Sequence, residues 1–213
     1  MQPEKFLQTK LGASLEMLLF FAVAMSTFQL GIIIPILIVL AIGSLKIRKL
    51  KISDIGFIKT DFKLKKILIG FAIAIFYFAM FHFLIDPFLS KSINGNLPAV
   101  FDIKGNIQKL IIWLIVTWTV GAFGEEIIFR GYLINRLINL IGESLPAKIM
   151  VVILSGLAFG FVHYYQGIHG IISAGLIGML QAIIYLITRK KLVVPIIAHG
   201  AYDSICFVFI FFG

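Results

Sequence analysis

The sequence predicts an all-α, polytopic transmembrane bundle of six or seven helices, and three observations lead there. Of its 213 residues, 60% are hydrophobic and 14% charged, where an ordinary soluble domain carries about 45–50% apolar and about 25% charged residues. Several apolar runs approach the roughly 20 residues a membrane-crossing helix needs. None of them alternates as a barrel strand would, and open strands cannot cross lipid. The net charge of +9 is gathered into patches. Eight of the 19 Lys and Arg residues lie between Lys46 and Lys66, and Arg189-Lys190-Lys191 supplies three more. Basic residues in short loops between apolar runs mark the cytoplasmic side, so the charge is no nucleic-acid signal.

The elements follow in order. Residues 11–43 are nearly continuous apolar sequence, long for one helix and short for two. Gly31 and Pro35 either break it in two or kink a single tilted helix. Residues 45–66 read as a basic, amphipathic segment at the inner surface. A span over 66–86 leads outward to a loop at 87–106, where Pro87, Asn94-Gly95-Asn96, Pro98 and Gly105 provide turn chemistry. The next span starts near Ile107. A short inner loop at 138–148 holds Gly142 and Pro146, and spans follow at about 147–166, 168–188 and 192–212. This alternation puts both basic clusters, 46–66 and 189–191, on one side. The chain reads as one membrane domain, 1–213, with N-terminal helices and loops over 1–106 and a core over 107–213. No repeat, soluble domain or cleavable signal peptide is expected. The single cysteine, Cys206, excludes an intrachain disulfide and a cysteine-based zinc cluster.

Ionisable residues interrupt the apolar runs of the core. The stretch "VTWTVGAFGEEIIFRGYLINRL" places Glu125, Glu126 and Arg130 where lipid should be, at about +2.5 to +3.5 kcal/mol for each central charge. Such residues face a protein interior and usually serve a function. Glu126 and Arg130 are four apart on one helix face and can neutralise each other. Glu125 lies about 100° around the helix from Glu126, so its partner comes from another helix, His163 or His199. "FGFVH" ends on His163, and "HGAYD" runs from His199 to Asp203. The small residues Gly156 and Gly160, and Gly170, Ala174 and Gly178, recur at four-residue steps and first of all mean tight helix packing. His82, four residues before Asp86, reads as a structural residue. His169 sits near the outer surface after the turn "YYQG".

A carboxylate and two imidazoles support hydrolysis in two ways. They act as a general base on water with other donors at the oxyanion, or they ligate Zn²⁺ with one position left for water. Glu125, His163 and His199 would be the ligands in the second case, and Zn is the one cofactor considered. Cys206 is two turns from His199 but lies among apolar neighbours, where a thiolate is disfavoured. Ser155 and Ser204 have no adjacent base.

These residues resemble a known family. "EEIIFR" matches the EExxxR signature of the CPBP family, which includes the CAAX prenyl endopeptidases and the bacteriocin-processing or self-immunity (ABI) proteins. "FGFVH" matches its FxxxH motif and "HGAYD" its HxxxN/D motif, in the family's order, over about residues 107–205. The resemblance implies an intramembrane endopeptidase. Glu125 would activate water with His163 assisting, and His199 and the residue at 203 would stabilise the oxyanion or orient water. Glu126 and Arg130 would hold helix geometry, Arg130 with a possible substrate contact. Position 203 is Asp where the prenyl-endopeptidase branch has Asn. An ionised Asp cannot donate to an oxyanion, so it orients His199, accepts from water, or acts protonated. This departure leans the resemblance toward the bacterial branch, in a bacterial cell membrane with the basic loops cytoplasmic. The implied partners are a peptide or protein substrate, prenylated or leader-bearing, and membrane lipid. The rival readings are a non-catalytic immunity or helper protein of the same fold, and a small ion or proton carrier. A depth count at 1.5 Å per residue puts Glu125 and His199 level with each other, and His163 roughly 9–10 Å outward.

Overall fold

The computed structural model describes residues 2–26, 30–92 and 102–213. The chain starts with α1 (Pro3–Gln8) and α2 (Lys10–Ala24), the latter capped by the Thr9 side chain accepting from the Gly12 amide. Helix α3 (Leu30–Ile47) follows and carries Pro35 in its interior. The long apolar run is thus two short helices packed on each other. Their break falls between Ala24 and Leu30, ahead of both Gly31 and Pro35.

The basic segment after α3 forms two single 3₁₀ turns, Ile52–Ile55 and Lys59–Asp61. It is pinned beneath the bundle. The Tyr185 hydroxyl donates to the Ile55 carbonyl at 3.0 Å, and the Leu192 amide donates to the Gly56 carbonyl at 3.0 Å. Gly56 takes φ +98°, and a Cβ there would lie 2.0 Å from the Lys190 carbonyl oxygen, so the contact requires glycine. Lys190 also pairs with Glu143 at 3.1 Å. The two basic loops and the 142–144 turn therefore share one end of the molecule, as the alternation of spans predicts.

Helix α4 (Leu64–Met80) runs through a π-turn, Phe81–Ile85, into α5 (Asp86–Ser92). The loop predicted from 87 thus begins later. Pro87 lies inside the continuous helical stretch Leu64–Ser90, directly after the π-turn, where it has no N–H to bond back to the preceding turn. The predicted turn residues Asn94-Gly95-Asn96 and Pro98 lie outside the described residues. Helix α6 (Ile107–Val116), capped by Asn106, continues as a π-helix over Thr117–Ile134 and then as α7 (Asn135–Ile141). Ser144 caps α8 (Leu145–Val162), and Pro146 sits in its first turn. A 3₁₀ turn, Tyr164–Gln166, leads to α9 (Gly167–Ile187), and α10 (Val193–Phe212) ends the bundle. Among the described residues, five helical stretches are long and apolar enough to cross a membrane: Leu64–Ser90, Ile107–Ile141, Leu145–Val162, Tyr164–Ile187 and Val193–Phe212. No strand occurs among the described residues. The protein is an all-α, polytopic membrane bundle.

The π-helix is the centre of that bundle. Twelve of its eighteen residues are buried, with α2, α3, α8, α9 and α10 around it, whereas α4 exposes Phe71, Ile75 and Phe76 on its outer face. Long π-helices are rare, and short π-turns gather at functional sites. Here the wider winding carries all three charges of the Glu-Glu-Arg stretch.

The four-residue steps of small side chains do serve close packing, between α8 and α9. A Cβ at Gly160 would lie 2.4 Å from the Ile171 carbonyl oxygen and 3.0 Å from the Gly175 Cα, both backbone atoms that cannot yield alone. Gly160→Ala is expected to push the pair apart and lower stability by about 1–3 kcal/mol. Thermal unfolding of the purified protein in detergent checks this, and an unchanged midpoint would count against so tight a crossing.

Candidate active site

The three motifs meet. Glu126, on the π-helix, is fully buried and holds a guanidinium and an imidazole with one oxygen. Its Oε1 is 3.1 Å from Arg130 Nη1, the pair predicted by spacing, and 2.8 Å from His199 Nδ1 on α10. A carboxylate can only accept in that contact, so Nδ1 carries the hydrogen and donates. The His199 Nε2 atom is left facing two more acids, Asp203 Oδ2 at 3.4 Å and Glu125 Oε2 at 3.9 Å. The expected partner of Glu125 on another helix is therefore His199. Glu126 does more than its spacing predicts, because it also sets the tautomer and orientation of that ring.

Arg130 fixes the back of the site. Nη2 donates to the Gly178 carbonyl at 3.2 Å, tying the π-helix to α9. The guanidinium lies 4.5 Å above the Phe159 ring, a cation–π contact that helps hold a buried charge. Phe159 in turn stacks edge-on against Phe129 at 5.0 Å, so α8 is registered against the π-helix by aromatic packing. Buried Gln181 donates to the Pro195 carbonyl at 3.1 Å, one turn before His199, and ties α10 to α9.

His163 caps the C-terminus of α8. Its Nδ1 donates to the Phe159 carbonyl at 2.8 Å, because a carbonyl can only accept, and its ring rests 4.7 Å from the Phe159 ring. That bond folds the imidazole back along its own helix. His163 makes no hydrogen bond to Glu125 or His199. It shares with them, and with Asp203, the wall of one cavity of about 510 Å³. The Phe159 ring stands between the two imidazoles, 6.0 Å from His199. Tyr165, Gln166, Ser173, Tyr202 and Cys206 also line the cavity, beside apolar residues of α6 and of the π-helix such as Trp113 and Val120. The mixture suits a peptide with apolar side chains and a polar backbone.

Three predicted placements need comment. Asp86 does not partner His82. It faces His169 Nε2 at 3.4 Å and the Ser173 hydroxyl at 3.5 Å. His82 instead stacks on Phe78 at 5.2 Å and meets Phe209 edge-on at 4.7 Å. His169 lies at that outer contact rather than on the cavity wall. The turn "YYQG" contributes Tyr165 and Gln166 to the wall, and its position directly after His163 was the available signal.

A catalytic zinc takes three protein ligands and keeps one open position. Among the described residues no three His, Cys, Asp or Glu side chains are grouped closely enough to hold a metal ion. Glu125, His163 and His199 border one space without forming such a set.

No curated protein and no solved structure matches the chain. Residues 107–205 match the family model described as type II CAAX prenyl endopeptidase Rce1-like. That stretch runs from the start of α6 to the middle of α10 and contains every residue of the cluster from Glu125 to Asp203. With five helices among the described residues long and apolar enough to cross a membrane, the chain is an integral membrane protein, and its residues 107–205, just under half of its length, are similar to the Rce1-like type II CAAX prenyl endopeptidases.

Proposed function

We propose that the protein hydrolyses a peptide bond of a membrane-associated peptide, prenylated or leader-bearing, with water activated by Glu125. The observation that carries the reading is the 3.9 Å gap between Glu125 Oε2 and His199 Nε2. The gap is too long for a direct hydrogen bond and short enough for one water to touch both groups. Glu125 is the base, and the Nε2 lone pair of neutral His163 is a second acceptor on the same cavity. His199, held by Glu126, and Asp203 orient the water. No step is routed through a metal. The basic loops 46–66 and 189–191 face the cytoplasm, and the setting is a bacterial cell membrane.

The test uses purified protein in lipid nanodiscs and quenched fluorescent peptides ending in a CAAX sequence, with and without a farnesyl group, plus an unprenylated leader-type set. Cleavage of at least one set is expected, and it is expected to persist after dialysis against a chelator, with metal content measured in parallel. If no peptide is cut while the protein still confers a protective phenotype on cells, and Glu125→Ala leaves that phenotype intact, the immunity or helper reading replaces this one.

A further inference from the structure

We propose that Arg48 and Arg136 bind the phosphate of an acidic phospholipid at the end of the bundle that carries the basic loops. The inference is independent of the hydrolysis reading. The two arginines come from distant parts of the chain. Arg48 directly follows α3, and Arg136 is the second residue of α7, just past the π-helix. They are 9% and 2% exposed, and arginine is almost never buried so far unless it is paired.

Between them they have one acid. Glu16 of α2 pairs with Arg136 Nη2, which also donates to the Leu7 carbonyl at 2.9 Å. The same carboxylate accepts from the Tyr132 hydroxyl. Arg48 lies within electrostatic reach of both Arg136 and Glu16, yet among the described residues it pairs with no carboxylate. Its Nε donates to the Ser44 hydroxyl at 3.1 Å and to the Ser44 carbonyl at 3.4 Å. Its guanidinium stands 5.9 Å from the centre of the Tyr132 ring, the outer limit of a cation–π contact. Among the described residues both Nη groups of Arg48 lack an acceptor, and so does the buried Nε of Arg136. Two guanidiniums against one carboxylate leave one positive charge. The neighbouring pair, Lys49 with Glu4 at 2.6 Å, is already neutral. A buried charge is costly until it is paired and hydrogen-bonded.

A group with several anionic oxygens on one centre answers that surplus, and the planar fork of arginine matches phosphate. The flanks favour a lipid over a free ion. Leu11, Leu15 and Leu18 of α2 and Ile42 and Ile47 of α3 are exposed, an apolar surface for acyl chains. Arg48 stands where the apolar sequence of α3 ends, at headgroup level. Basic pockets between membrane helices hold acidic headgroups in this way. The bound lipid ties α2 and α3 to the end of the π-helix.

The experiment uses the full chain, stripped of lipid in a neutral detergent. Dioctanoyl phosphatidylglycerol, dioctanoyl phosphatidylcholine or inorganic phosphate is added at matched ionic strength, and binding is read by native mass spectrometry and by thermal unfolding. Phosphatidylglycerol at about a hundred times its Kd is expected to raise the melting temperature by about 5–10 °C, and the other two by much less. Arg48→Gln should weaken phosphatidylglycerol binding by roughly 10–100-fold. It should keep the lipid-free melting temperature, since the change also ends the repulsion from Arg136. Arg48→Lys keeps the charge and loses the fork, and should weaken binding by roughly tenfold. Lys51→Gln, an exposed cation of the same basic segment, should bind as the unaltered protein does. An Arg48→Lys protein that binds phosphatidylglycerol within about threefold of normal overturns the proposal, whether or not Arg48→Gln folds. Equal stabilisation by inorganic phosphate, with no lipid retained in the mass spectrum, makes the ligand a free anion and overturns it too.

Discussion

Glu125→Gln is expected to cut kcat by roughly 10²–10⁴-fold, the span attributed to a positioned general base. The amide matches the carboxylate in size and keeps its place beside His199, 3.9 Å away, so packing and substrate binding should survive. What it loses is the ability to take a proton from water, and that loss appears in kcat with KM little changed. Expression, membrane insertion and melting temperature should hold, because the amide fills the same volume and Glu125 makes no direct hydrogen bond to His199 that the change would break. Side-by-side kinetics of the purified proteins decide the matter. A Gln variant that turns over at a tenth of the normal rate or faster would reduce Glu125 to a structural residue.

Arg130→Met should produce the largest loss of stability, about 3–5 kcal/mol, as expected when one partner of a buried ion pair is removed. Methionine fills the volume, so the loss comes from interactions rather than from a cavity. Three contacts vanish together: the 3.1 Å pair with Glu126, the 3.2 Å bond to Gly178 and the face of Phe159. Glu126 is left fully buried with His199 as its remaining partner. The double variant Glu126→Gln/Arg130→Met should be more stable than Arg130→Met alone, since no carboxylate is then stranded, although His199 loses its carboxylate anchor and activity does not return. Chemical unfolding in detergent gives the comparison. If Arg130→Met unfolded at the denaturant concentration of the unaltered protein, the ion-pair network would not be holding the helices.

Much of this was legible in the sequence because lipid makes polar residues conspicuous. A charge in a long apolar run must find a partner, so Glu126 with Arg130, and Glu125 with a distant imidazole, followed from spacing and cost. The spans were legible for the same reason, through length and basic loops. What spacing could not convey was winding. The change from α to π over Thr117–Ile134, and again at Phe81–Ile85, has no composition signal, and spacing along one helix could not reveal the contact between Asp86 and the distant His169. Nor could the sequence reveal that one Glu126 oxygen serves both Arg130 and His199, since the second comes 73 residues later. Helix ends were harder than helix middles. Pro146 reads as a loop residue and is instead a first-turn residue, a position where proline is equally at home, and Pro87 reads as a loop residue but lies inside the helix that continues past the π-turn.

The hydrogen bond from Leu192 to Gly56 joins positions 136 residues apart. A ribosome delivers the chain from its N-terminus, so the early loop must wait for its last latch until nearly the whole polypeptide has been threaded into the bilayer. Only the arrival of α10 brings both His199 and the segment that latches that loop. Maturation of the catalytic chamber and closure of the bundle's underside are therefore one late event, and a nascent chain stalled before that helix would hold an unreactive half-site.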